Sequence, residues 1–269
     1  MPELPEVETI ARGLARSVTG DIVESVWLGR KKEPLKSPAS EIASVLERSR
    51  IASVRRMGKH IVFDLDRQRK ESQWIVHLGM TGRLQVCNPQ TEIAKHTHAI
   101  LKLASGRELR FVDPRRFGRL SVAASAEFDA SGIEPLEIGL DRFLALFRGR
   151  QTPIKSALLN QKLLRGVGNI YADESLFRAG IRPRRRAATI TRAQLAKLHA
   201  AVKAVLKEAI ARGGSSVSDY VNADGEQGFF QLEHRVYARE GEPCLVCKTP
   251  IKRVVIAGRS SHYCPECQK

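Results

Sequence analysis

Two groups of residues in this 269-residue chain could carry chemistry, and they lie at its opposite ends. The first is the opening octet Met1-Pro2-Glu3-Leu4-Pro5-Glu6-Val7-Glu8. An initiator methionine is normally trimmed when a small residue follows, and its loss would leave the Pro2 ring nitrogen as a secondary amine. An α-amino group has a reference pKa of roughly 7.7–8.0, so a useful fraction is neutral and nucleophilic near neutral pH. Attack by a secondary amine on a sugar C1′ or an aldehyde gives a charged iminium without loss of another proton. Such an iminium is an electron sink for bond cleavage and elimination, and two carboxylates, Glu3 and Glu6, lie close behind Pro2 in the chain. The same octet could also simply shape a helix start, with Pro2 and Pro5 in place and Glu3, Glu6 and Glu8 complementing the dipole.

The second group is Cys244, Cys247, Cys264 and Cys267, spaced C-x2-C-x16-C-x2-C. Two such knuckles joined by a hairpin supply the four thiolates of a tetrahedral zinc site. Paired disulfides compete with this reading, but no secretory signal accompanies them. Cys87 stands alone in a strand-like stretch and reads as a core or edge residue.

Lys and Arg number 45 against 29 Asp and Glu, giving a formal charge of +16. A charge of that size predicts a polyanionic partner. No apolar run approaches the roughly 20 residues that span a bilayer, and the acidic first helix is wrong for a membrane surface. A cytoplasmic, nucleoid-associated protein that binds nucleic acid fits these features.

The elements that must hold these groups follow from periodicity. Val7, Ile10, Ala11 and Leu14 recur at helical spacing, predicting an amphipathic helix over residues 5–18. From Asp21 to about Ala124 the pattern has period two or short apolar runs, including 22–28, 60–65, 73–78, 99–103 and 108–112. One helix interrupts them, with Ser37-Pro38 as cap and first position. Helices are expected at 143–147, 154–164, 170–179 and 193–211, the last opened by a Thr191–Gln194 capping box. The fold class is therefore α+β and multidomain. A β-sandwich with its N-terminal helix spans 1–124, a linker 125–138, a helical domain with a loop 139–228, and a cysteine hairpin 229–269.

Further segments carry more charge or glycine than a core requires. Arg165-Gly166-Val167-Gly168-Asn169 joins two helices, and the second helix N-terminus, with Lys155 nearby, could hold a phosphate. Arg55–His60 reads as a basic turn. Met80 lies between glycines, and Arg115, Arg116, Phe117 and Arg119 share one stretch. Basic side chains that meet phosphates, with apolar wedges inserted between bases, are what a DNA-bending protein uses. His96 and His98 alternate along an expected strand and read as exposed side chains rather than metal ligands.

Together the octet, the Gly58-Lys59 turn, His77–Leu84, Asp113–Gly118, Gly166–Glu174 and the terminal cysteines resemble the formamidopyrimidine-DNA glycosylase family from end to end. The resemblance implies a bifunctional DNA glycosylase and AP lyase acting on oxidised purines, with a β-sandwich, a helix–two-turn–helix domain and a zinc finger. It maps the nucleophile to Pro2, the acid on the sugar to Glu3 and a supporting glutamate to Glu6. Lys59 would hold a phosphate near the lesion, and Arg259 would clamp the flanking phosphates, so both count with the catalytic set. Met80, Arg115 and Phe117 would fill the gap left by the extruded base. His96, Arg115, Lys155, Asn169 and Arg259 would contact DNA, and residues 215–237 would enclose the flipped base. One structural Zn2+, a duplex holding an oxidised purine or abasic site as partner, and a monomeric state complete the expectation.

Three rivals remain at this point. An endonuclease VIII-like glycosylase for oxidised pyrimidines generally carries glycine where this chain has Leu4. A catalytically silent DNA-binding protein would have little use for Pro2, Glu3 and Lys59 together. An RNA-associated zinc protein explains the charge but not the octet.

Overall fold

A computed structural model of the chain describes residues 1–31, 33–123, 128–216 and 227–269. The chain divides into two compact units, Met1–Ala130 with Gly213–Gly228, and Ser131–Arg212 with Phe229–Lys269. Composition and periodicity place residues 213–228 with the helical region and make the cysteine hairpin a domain of its own. Here the helices and the hairpin belong to one unit.

The first unit begins with α1 (Leu4–Val18), one residue earlier than periodicity suggested. Glu3 is its N-cap, and Pro5 sits in the first turn, where a missing N–H costs no helical hydrogen bond. The apolar face predicted from spacing is buried: Val7, Ile10, Ala11 and Leu14 are at most 3% exposed. A second short helix, α2, spans Ala39–Leu46.

Eight strands follow α1: β1 (Val23–Leu28), β2 (Arg50–Met57), β3 (His60–Arg67), β4 (Lys70–His77), β5 (Arg83–Cys87), β6 (Thr97–Leu103), β7 (Glu108–Val112) and β8 (Arg119–Ala123). They form two antiparallel sheets, ordered β1-β6-β7-β5 and β2-β3-β4-β8. One core unites the sheets with α1, through Leu14, Phe63, Trp74, Leu101 and Phe111. This is the expected β-sandwich.

Several local expectations change. Arg55 and Arg56 belong to β2, and the turn is only Gly58-Lys59, with Gly58 at φ +60°. Ser37 does not cap α2; Pro38 is its N-cap, and the Ser37 hydroxyl accepts the Val122 N–H at 3.1 Å, binding α2's entry to β8. His98 is 5% exposed, not a surface residue, because the bulge at Thr97/Ala99 turns it inward.

The second unit holds α3 (Leu140–Phe147), α4 (Ile154–Leu159), α5 (Asn169–Ala179) and α6 (Arg192–Ala211). Helix α4 ends five residues sooner than its apolar run suggested. There the Asn160 side chain accepts the Lys162 N–H, and its carbonyl takes the Leu163 and Leu164 N–H groups in a turn. Helix α6 opens with the predicted capping box, Thr191 and Gln194 exchanging bonds of 3.1 and 3.2 Å. A two-stranded hairpin closes the chain, β9 (Lys252–Ile256) paired with β10 (Arg259–Tyr263). Among the described residues, no helix is long and apolar enough to cross a membrane.

Candidate active site and zinc centre

In the first unit, the N-terminus is held by carboxylates. Oε2 of Glu6 accepts the Glu3 backbone N–H at 2.7 Å, and Oε1 accepts the Ser215 N–H at 2.8 Å. Glu3 and Glu6 are 6% and 2% exposed, and Pro2 is buried beside them. Glu8 is committed elsewhere: it pairs with Arg56 at 2.6 Å and Arg12 at 2.7 Å, anchoring α1 to β2. Burial alone would push its carboxyl up, but the two guanidiniums outweigh it and hold it below the usual range. The octet therefore forms a capped helix start in which Pro2 and Glu3 are both buried. Lys59 stands at the tip of the β2–β3 hairpin.

Met80, Arg115 and Phe117 come together because two loops are tied by Asp113. Its Oδ1 accepts the Thr81 hydroxyl at 2.6 Å and the Arg115 N–H at 3.3 Å, while Oδ2 accepts the Gly118 N–H at 2.7 Å. Gly79, at φ +65°, lies against the Phe117 backbone so closely that a Cβ would fall 2.5 Å from its carbonyl carbon. Met80 and Phe117, on these two tied loops, are 42% and 52% exposed. The Arg115 guanidinium carbon sits 4.9 Å from the Phe117 ring centroid, a cation–π pair.

Of the two histidines before and in β6, His96 is exposed, at φ +71°, with its carbonyl accepting the Asp113 N–H. His98 Nε2 lies 2.9 Å from the Asp113 carbonyl. Neither approaches a metal-ligand cluster among the described residues. Cys87 is half-buried, and burial pushes its thiol up from the ordinary range.

In the second unit, the four cysteines meet. All four sulfurs lie within 4.8 Å of one another, with pairs at 3.3 and 3.9 Å. A disulfide needs about 2.05 Å, whereas Zn–S bonds of about 2.3 Å require tetrahedral edges of about 3.8 Å. The Val246 and Cys267 N–H groups point at the sulfurs of Cys244 and Cys264, as in a zinc knuckle. The residues fit one structural zinc ion. Ala257 and Gly258, both at positive φ, make the tight β9–β10 turn and set exposed Arg259 at the start of β10.

Asn169 is the first residue of α5, not its cap; Gly168 is the N-cap, and Asn169 Nδ2 lies 3.4 Å from Ser260 Oγ. Lys155, expected to face a phosphate, is fully buried and pairs with Asp173 at 2.6 Å, its charge neutralised inside the unit. Residues 217–226 of the expected base-enclosing segment lie outside the described residues.

The acids that tie these elements together, Asp113, Asp173 and Glu174, are not among the expected site residues. The local signal is weak: acids beside apolar residues, as in Ile170-Tyr171-Ala172-Asp173-Glu174, are buried only when paired, and their partners lie elsewhere in the chain. His77 was also passed over; its Nδ1 accepts the Gly79 N–H at 3.0 Å, which fixes the tautomer and leaves Nε2–H as donor.

Three family models match successive parts of the chain. Residues 1–120 match the formamidopyrimidine-DNA glycosylase N-terminal domain, 132–221 its H2TH domain, and 241–269 a zinc finger found in FPG and IleRS. That combination defines a class, the helix–two-turn–helix DNA glycosylases with a zinc finger. Over the whole of both chains, this one is 48% identical to the formamidopyrimidine-DNA glycosylase of Solibacter usitatus and 44% to that of Gluconobacter oxydans. It superposes on the crystal structure of the MutM (Fpg) protein of Thermus thermophilus with a TM-score of 0.88 at 40% identity, covering 99% and 98% of the two chains. A Lactococcus lactis Fpg bound to DNA containing an abasic site gives 0.92 at 30% identity, with 99% of each chain covered. The chain belongs to the formamidopyrimidine-DNA glycosylase family.

Proposed function

We propose that this chain excises oxidised purines from duplex DNA and nicks the strand at the abasic site, with Pro2 as the attacking group. The observation that carries the reading is the seat of the N-terminus: Glu3 caps α1 and is pinned through Glu6, so Pro2 has a defined place. L. lactis Fpg has been crystallised with Fapy-dG DNA as well as with an abasic site, which supports the same substrate class here.

A base stacked in duplex is out of reach at C1′, so it must be flipped, with a wedge supporting the stack behind it. Met80, Arg115 and Phe117 supply that wedge. With Met1 removed, the Pro2 nitrogen bonds to C1′ as the glycosidic bond breaks; the departing base carries away the electron pair and takes up the proton that the Pro2 nitrogen sheds. Glu3 donates a proton to the ring oxygen as the C1′–oxygen bond opens, leaving the iminium at C1′. The iminium acidifies C2′. Loss of a proton there expels the 3′ phosphate, and a second elimination expels the 5′ phosphate, leaving a one-nucleoside gap. Lys59 and Arg259 neutralise backbone phosphates, and Asn169 and His96 contact them through hydrogen bonds. Zinc, held by Cys244, Cys247, Cys264 and Cys267, supplies no chemistry to these steps; it holds the hairpin that bears Arg259. The protein acts as a monomer on cytoplasmic, nucleoid DNA.

Single-turnover excision of 8-oxoguanine opposite cytosine, compared with thymine glycol, tests the substrate class. Faster release of the purine, by about tenfold or more, is expected. The reverse order would instead place the chain with enzymes for oxidised pyrimidines.

A further inference from the structure

We propose that Asp173, acting with Lys155, is a positioning residue for Arg259, holding the arginine's strand through its free edge. In the two-stranded hairpin, one edge of β10 bonds to β9 and the other lacks a strand neighbour among the described residues. Backbone groups on such an edge must find partners when buried. The carbonyl of residue 260 and the N–H of residue 262 point the same way from an extended strand. The Lys155 ammonium donates to the Ser260 carbonyl at 2.6 Å, and Asp173 Oδ2 accepts the His262 N–H at 2.9 Å. The ion pair thus offers one donor and one acceptor, as a third strand would. Asp173 Oδ1 in turn lies 2.6 Å from Lys155 Nζ, and both side chains are 0% exposed.

The next residue extends the grip. Glu174, also fully buried, accepts the backbone N–H groups of Arg235, Val236 and Tyr237 at 2.9, 3.0 and 2.9 Å. Two adjacent acids on α5 therefore hold both the strand that carries Arg259 and the segment that leads into the cysteine module. A buried ion pair returns little net stability compared with an apolar pair of equal volume. What this pair supplies is geometry: Arg259 is the residue next to the gripped Ser260 carbonyl, so its direction follows from the pair.

The proposal rests on Arg259 contacting DNA phosphate, and the experiment separates the two ideas. Dissociation constants for a duplex with a tetrahydrofuran abasic analogue are measured across a salt series, on full-length variants shown to retain zinc. Arg259→Ala is expected to weaken binding on the order of tenfold and lower the salt slope by about one. Asp173→Asn should weaken binding and lower the slope in the same direction, and adding it to Arg259→Ala should cost nothing more. If Asp173→Asn folds poorly, the apolar pair Lys155→Met with Asp173→Leu keeps volume while losing the edge bonds, and the same loss is expected. Losses that multiply in the double variant, or an unchanged slope in both Asp173 variants while Arg259→Ala moves it, would overturn the proposal. An unchanged slope in Arg259→Ala would remove the phosphate contact itself, and the proposal with it.

Discussion

Glu6 and Ser215 lie 209 residues apart in the chain and share a hydrogen bond of 2.8 Å, Ser215 N–H donating to Oε1. The other carboxylate oxygen holds Glu3. Gly214, at φ +84°, allows this approach, since a Cβ there would fall 2.8 Å from the Glu6 carboxylate. One buried side chain therefore ties the root of the 213–228 segment to the helix start that seats Pro2. Glu6→Gln keeps the shape but replaces one acceptor with a donor, leaving one of the two N–H groups unmatched. That costs about 1–3 kcal/mol. A matching drop in thermal midpoint and slower excision are expected; wild-type behaviour in both would show the carboxylate is dispensable.

Gly79 is the other close approach with consequences. Alanine there meets both an unfavourable positive φ and the Phe117 carbonyl carbon at 2.5 Å. Both loops of the wedge must shift, at a cost on the order of 2 kcal/mol. Gly79→Ala should lower the melting temperature by several degrees and reduce excision from duplex more than cleavage at a preformed abasic site. Equal loss on the two substrates would argue that Met80 and Phe117 do not act in base extrusion.

His77 gives the first unit a pH dependence. Burial pushes its ring down to about 4, helped by the positive neighbours His60, Arg119 and Lys59. Above the unfolded value of about 6.5 neither state holds the proton, and stability is at its plateau. As pH falls from there toward 4, the unfolded chain takes up a proton that the folded ring refuses, and stability drops, by about 2 kcal/mol at pH 5. The only two tryptophans, Trp27 and Trp74, lie in this unit, so their emission during urea unfolding reports on it alone. His77→Gln should flatten the change between pH 7 and pH 5; an undiminished change would mean that another group is responsible.

Zinc removal should act on the second unit. Cys244 and Cys264 share a small core with Phe177, Val236 and Ile251, so the metal supports packing against α5 as well as the hairpin. Chelation is expected to abolish tight DNA binding and loosen this region while tryptophan emission from the first unit stays unchanged. A simultaneous shift in that emission would show that the units do not unfold separately.

The apolar skeleton of both units was legible because burial repeats with the period of the element: Val7, Ile10 and Leu14 on α1, and the short runs that became β3, β4 and β7. The four cysteines were legible from spacing alone. What escaped were pairings between distant side chains. Arg56 looked like part of a basic turn because its partner Glu8, 48 residues earlier, sits on a different element. Lys155 looked available to a phosphate because nothing in its own segment announces Asp173. His98 looked exposed because a bulge, invisible in the sequence, shifts the alternation of β6. Charge is read as exposed by default, and only the fold reveals which charges it has enclosed.

The central claim is that Pro2 forms the covalent bond to DNA. Borohydride trapping on a duplex with a single 8-oxoguanine opposite cytosine, followed by mass mapping of the cross-linked peptide, tests it most directly. The account predicts a cross-link at Pro2 with Met1 absent. No cross-link from protein shown to bind the same duplex, or a cross-link at a lysine instead, would contradict it.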